Sequence, residues 1–262
     1  MAVPLLHVDA FTDAPFRGNP AAVCLLERER PADWMQAVAA ELALPATAFV
    51  RPDADGFALA WFSPTTELAL CGHGTLASAH ALWETGRLDD SAPARFSTRG
   101  GVLSAVRQDG WISLDLPAER AVAVTAPVGL LDAVGVKARW VGRNRLDYVV
   151  EVDDEAEVRA VAPDSTALAA IDTRGVSVTA RATTAGFDFV SRFFAPRVGI
   201  PEDAVTGSAH CCLAPLWSER LGRARLVGLQ VSARTGVVRT ELAGDRVVLG
   251  GQAVTVLRGE LR

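Results

Sequence analysis

Leu70-Cys71-Gly72-His73-Gly74-Thr75 decides the reading of this chain, because a second stretch repeats its design. Glu67-x-x-x-Cys71-Gly72-His73 opens an alanine-rich run over residues 75–83, and Glu202-x-x-x-Thr206-Gly207-Ser208 opens another over 209–217. Phe62-Ser63-Pro64 precedes the first and Phe194-Ala195-Pro196 the second. The pattern predicts an internal duplication in which each half ends a strand in a glycine turn and starts a helix. A helix start leaves unpaired backbone N–H groups and the positive end of the helix dipole. Two such starts facing one another would hold an anion, and a substrate carboxylate is the simplest choice.

Working outward, the 262 residues suffice for one large domain or two lobes. Half of the residues are hydrophobic, so a buried core is feasible. The net charge of −5 and the scattered basic residues argue against nucleic acid or an anionic membrane surface as the main partner. Lys137 is the sole lysine among many arginines, a mark of GC-rich coding rather than of function. Cys24, Cys71, Cys211 and Cys212 show no metal-ligand spacing, which points to a reduced, cytoplasmic setting and to no metal. The N-terminus lacks a basic region followed by a long apolar stretch, so no signal peptide is expected. No apolar run reaches the roughly 20 residues of a membrane span.

Along the chain, strands are expected over 5–10, 21–26, 47–50 and 56–62, with a loop over 11–20. A helix is expected from Pro31 through Leu42, stopping before Pro45. Residues 76–84 read as the first central helix, apolar nearly all round, as a helix surrounded by sheet would be. Residues 94–116 read as strands broken at Gly100-Gly101 and Asp109-Gly110. Residues 117–127 mark the boundary between lobes at 1–118 and 119–262, with the last strand free to return to the first lobe. The second lobe repeats the order: strands over 140–152, 176–181 and 188–195, a second central helix over 207–221 ended by Gly222, then hairpins around Gly236 and Gly244.

Several stretches together resemble the phenazine-biosynthesis isomerase (PhzF-like) family. They are Val8-Asp9-Ala10-Phe11 with Phe16-Arg17-Gly18-Asn19-Pro20, residues 44–50, Trp61-Phe62-Ser63-Pro64 leading to Glu67 and 70–79, Arg192-Phe193-Phe194-Ala195-Pro196, residues 202–209, and Gly250-Gly251-Gln252-Ala253. A lone Cys-Gly-His would be weak; the ordered set spans the chain. The resemblance implies a diaminopimelate-epimerase-like α+β fold. In it, two pseudo-symmetric lobes each wrap a curved, mostly antiparallel, barrel-like sheet around a central helix, with the active site in the cleft between them. It also implies a cofactor-free isomerase, usually a homodimer, that moves a proton on a small carboxylate-bearing substrate.

Carried over by position, His73 and Asp203 match the family's polar catalytic residues, and Gly72, Gly207 and Ser208 its substrate-binding turns. Gly74, Asn19 and Cys71 join the candidate binding set. Cys71 also reads as a small apolar residue packed at the turn, and Asp203 as a helix cap. Glu67 and Glu202 sit at equivalent points of the duplication and read as structural. One position departs from the pattern. The family carries Leu-(Ser or Pro)-Glu-Thr-(Ala or Thr)-Phe-Val, whose Glu is the proton-shuttling base, and this chain has Leu44-Pro45-Ala46-Thr47-Ala48-Phe49-Val50. Ala46 cannot accept a proton, and losing a general base costs about 10²–10⁴ in rate. Three readings stay open: a divergent member using another base, a protein that binds small carboxylates without turnover, or a Glu-to-Ala variant of an active isomerase.

Overall fold

The structure is a computed structural model that describes residues 2–262. The chain forms two compact units, one running up to Asp115 and resumed at Gly250–Arg262, the other spanning Leu116–Leu249. The first contains β1 (Val3–Ala10), β2 (Asn19–Leu25), α1 (Ala32–Leu42), β3 (Ala46–Asp53), β4 (Gly56–Phe62), β5 (Glu67–Leu68), α2 (Gly72–Glu84), β6 (Ala94–Thr98), β7 (Gly101–Gln108) and most of β8 (Trp111–Pro117). The second contains β9 (Val122–Ala123), α3 (Leu130–Val134), β10 (Trp140–Arg143), β11 (Asp147–Glu151), α4 (Glu155–Ala160), α5 (Ser165–Ala170), β12 (Gly175–Arg181), β13 (Phe189–Ala195), β14 (Ile200–Asp203), α6 (Gly207–Leu221), β15 (Arg225–Gln230), β16 (Gly236–Ala243) and most of β17 (Arg246–Gly251). The last strand, β18 (Ala253–Leu261), pairs antiparallel with β1 in the first unit.

The duplication read from the two glycine turns extends to strand pairing. In the first unit β1 and β2 are antiparallel, β2 and β3 parallel, β3 and β4 antiparallel, β4 and β6 parallel, and β6 to β8 antiparallel. In the second, β10 and β11 are antiparallel, β11 and β12 parallel, β12 and β13 antiparallel, β13 and β15 parallel, and β15 and β16 antiparallel. Each parallel step needs a crossover. The first crossover of each unit is helical, α1 or α4 with α5. The second is a short strand that hairpins back, β5 or β14, followed by the central helix α2 or α6. The fold is α+β, and each unit is a curled, unclosed, mostly antiparallel sheet around its central helix.

The central helices are largely dry because most of their residues are apolar or small. In α2 residues 74–79 and 81–83 are buried, and the helix touches β1, β2, β3, β7 and β18. In α6 the core of Cys212, Leu213, Leu216 and Trp217 packs on Val149, Phe189 and Leu226. Pro215 lies inside α6, where it lacks the N–H that would bond Cys211 O. Glu119 N donates to that carbonyl instead, at 3.0 Å.

The sequence expectation differs from the structure at several points. Asn19 and Pro20 belong to β2 rather than to a loop; Pro20 sits near the strand's first position, where proline is tolerated. The helix expected from residue 76 begins at Gly72. Gly236 opens β16, and the turn before it is made by residues 231–235, with Thr235 at φ 55°. The short helices α3, α4 and α5 were not expected, since five or six residues are too few to show a helical period.

The α4 start carries a testable feature. Glu155 is 3% exposed, and its carboxylate accepts from Thr183 N and Oγ1, Thr184 N and Oγ1, and Arg159 Nε, at 2.6 to 2.9 Å. Burial works against the charge, but the hydrogen bonds led by Thr184 outweigh it and hold the carboxyl well below the usual range. A depressed folded pKa adds stability that is complete above the unfolded carboxyl value of about 4.3 and is lost as pH falls below it. Urea midpoints measured from neutral pH into acid should therefore fall more steeply for the native chain than for Glu155→Gln. Equal slopes would remove this role from Glu155.

Candidate functional site

In the first unit the site residues gather where α2 begins. Cys71 is the extended N-cap residue, at φ −145° and ψ 97°, and among the described residues no side chain caps this helix. Thr75 Oγ1 donates to Cys71 O at 2.7 Å, and Ser78 Oγ to Gly74 O at 2.7 Å, so both hydroxyls point back along the helix. Gly74 is required by contact: a Cβ there would lie 2.8 Å from Trp61 Cδ1 and 2.9 Å from Cys71 Sγ. His73 is half-buried. Its Nδ1 lies 3.4 Å from Asn19 Nδ2, and the Cys71 thiol is 3.6 Å from Nδ1 and 3.7 Å from Nε2. An amide nitrogen only donates, so Nδ1 accepts from Asn19, which leaves Nε2 as the proton-bearing nitrogen of this tautomer.

Strand alternation places Ala46 on the same sheet face. Ala22, Cys24, Phe49 and Phe62 pack with the α1 side chains, so their neighbours Asn19, Ala21, Ala46, Ala48 and Trp61 face α2. Ala46 is the first residue of β3, fully buried and in register with Ala21. Trp61, opposite Ala48, is 2% exposed, and its Nε1 has no hydrogen-bond partner among the described residues.

In the second unit the residues gather where α6 begins. Thr206 is the extended N-cap residue, yet its hydroxyl does not cap the helix; Oγ1 donates to Asp203 Oδ2 at 2.6 Å. Gly207 is the first helical residue. Ser208 follows, and its Oγ accepts from Arg174 Nη2 at 3.1 Å. Arg174 is paired with the buried Asp147, Nε to Oδ1 at 2.8 Å, and lies over the Phe193 ring. With one lone pair engaged by the guanidinium, the Ser208 hydroxyl keeps its proton to donate. Fully buried His210 donates from Nδ1 to Thr206 O at 2.9 Å; burial pushes it down to about 4, so it is neutral.

The paired glutamates are ion-paired in each unit: Glu67 with Arg99, and Glu202 with Arg192 through two bonds of 2.7 and 2.8 Å. Sequence reasoning passed over Arg174, Asp147 and Gln230, the last of which binds both Asp203 O and Thr206. A glutamine at the end of the apolar run Leu226-Val227-Gly228-Leu229 was the one available signal.

The model of the phenazine biosynthesis-like (PhzC–PhzF) family matches residues 8–259. The chain belongs to this family. An uncharacterized isomerase of Halalkalibacterium halodurans is 48% identical over all of this chain and 99% of its own length. Another uncharacterized isomerase, from Pseudomonas aeruginosa, is 46% identical with the same coverage. The crystal structure of a PhzF-family protein from Enterococcus faecalis covers both chains fully, with a TM-score of 0.96 at 37% identity. Membership makes the chain an isomerase of the PhzF type on a two-lobed, epimerase-like fold. No helix of this PhzF-family chain is long and apolar enough to cross a membrane, among the described residues.

Proposed function

We propose that the chain moves a proton, without a cofactor, on a small carboxylate-bearing substrate. His73 and Asp203 are the proton-handling pair, and position 46 lacks the base the family pattern carries. The observation that supports this reading is that a titratable side chain stands at each repeated helix start, oriented by a named partner: His73 by Asn19 and Asp203 by Thr206. An imidazole with its tautomer set and a carboxylate with its rotamer set are the parts that acid–base chemistry at carbon requires. Each helix start offers donors to a carboxylate: Gly72 and Gly74 in the first unit, Gly207 and the Ser208 hydroxyl in the second.

The test is deuterium uptake from heavy water, followed by NMR, into a panel of small amino acids and cyclic or dienyl hydroxy acids. His73→Ala and Asp203→Ala should each lower uptake by about 10²-fold. Unchanged uptake in both variants would overturn the assignment. Ala46 motivates a second reading, a homologue that binds small carboxylates without turnover. Any turnover by the native chain removes it.

A further inference from the structure

We propose that Gln230 is the positioning residue that fixes the Asp203 carboxylate through Thr206; this rests on the reading of Asp203 as a proton-handling group. Gln230 ends β15 and is fully buried. Its amide can sit only one way round. The Thr206 backbone N–H can only donate, so Gln230 Oε1 is the acceptor at 2.9 Å. Nε2 then donates to Asp203 O at 2.7 Å and reaches Thr206 Oγ1 at 3.3 Å. With Nε2 on its lone pair, the Thr206 hydroxyl directs its proton to Asp203 Oδ2.

The sequence of constraints therefore runs from Gln230 to Thr206 to the carboxylate. It also accounts for the missing cap. An N-cap threonine normally accepts from an amide of the first turn, and here the hydroxyl is turned away to Asp203 instead. Asp203 closes a strand of four residues and is half-buried, so its own strand does little to fix its side chain. Hydrogen bonds that are fully satisfied inside a protein rigidify the groups they join.

The experiment observes the Asp203 side-chain carbon in the full chain labelled with ¹³C-aspartate, its signal assigned through Asp203→Asn. Gln230→Met keeps the shape and removes the amide, and should shift and broaden the Asp203 signal, as Thr206→Val does. The double variant should show no more change than Thr206→Val alone, because Gln230 reaches the side-chain carboxylate through Thr206 and touches Asp203 itself only at the backbone carbonyl. An unmoved signal in Gln230→Met, or simple addition of the two changes, would overturn the proposal. Thermal melts report whether Gln230→Met folds. If it does not, Gln230→Glu decides: it loses the Nε2 donor when ionised and regains an O–H donor when protonated, so the signal should return toward its native place as pH is lowered. A signal that stays displaced counts against the proposal.

In whichever version of the chain exchanges deuterium, Gln230→Met should lower kcat about tenfold with KM unchanged. A fall in stability with no change in kcat would mark a role in folding alone. The carbon signal needs no substrate, so it can stand even if Asp203→Ala shows that the carboxylate handles no proton.

Discussion

Ala46→Glu is expected to raise deuterium exchange into a substrate by about 10²–10⁴-fold, the usual worth of a general base. The position stands where the residues of the first helix start gather. Ala46 opens β3 on the face that looks at α2, where Asn19 and Trp61 also lie and where α2 presents His73. Its neighbours on that face, Ala21 and Ala48, are small. Trp61 Nε1 is a buried donor without a partner on the same face, and such donors are rare in folded proteins. A carboxylate two residues along from the residue opposite Trp61 would bring an acceptor to that neighbourhood. The native chain and Ala46→Glu would be compared in heavy water on one panel of acids. Exchange only in the variant means an isomerase scaffold with its base removed. Equal exchange in both means that another group carries the proton, and overturns the place given to position 46.

Trp217→Ala should cost about 3–5 kcal/mol in folding stability, the range for emptying a buried aromatic site. Trp217 is 3% exposed and stacks on Phe189 with ring centroids 5.9 Å apart and planes 2° apart. Its Nε1 donates to Thr179 Oγ1 at 3.0 Å, and that hydroxyl donates on to Val190 O at 2.6 Å. One side chain thus ties α6 to β12 and β13 together. Domains are stable by only about 5–15 kcal/mol, so the loss would show as a large fall in the urea midpoint. Trp217→Phe should cost less, since it keeps the stack and loses one hydrogen bond worth about 1 kcal/mol. If Trp217→Ala costs under about 1 kcal/mol, this packing does not anchor the helix.

Much of the architecture was legible because it is written in near neighbours. The repeated Glu-x-x-x-(Cys or Thr)-Gly pattern, the small apolar helices after it and the Gly222 stop are all decided within a turn or two of the chain. So are the start of α1 after Pro31 and its end at Ala43, a left-handed residue before Pro45. The helices α3 to α5 lay below that resolution, being too short to show a period. The helix expected over 207–221 runs through Pro215 despite that residue's local preference, and the distant amide of Glu119 bonds the carbonyl that proline leaves unpaired.

By itself, then, the sequence determined the two-fold repeat, the glycine-opened central helices, the identity of the side chains at their starts and the alanine at position 46. Tertiary structure alone decided how those side chains are held. Gln230 meets Thr206 across 24 residues, Arg174 meets Asp147 across 27 and Ser208 across 34. Helical period and turn chemistry are set by local backbone sterics, whereas these bonds exist only once parallel pairing has brought β13 beside β15 and β11 beside β12 in one register.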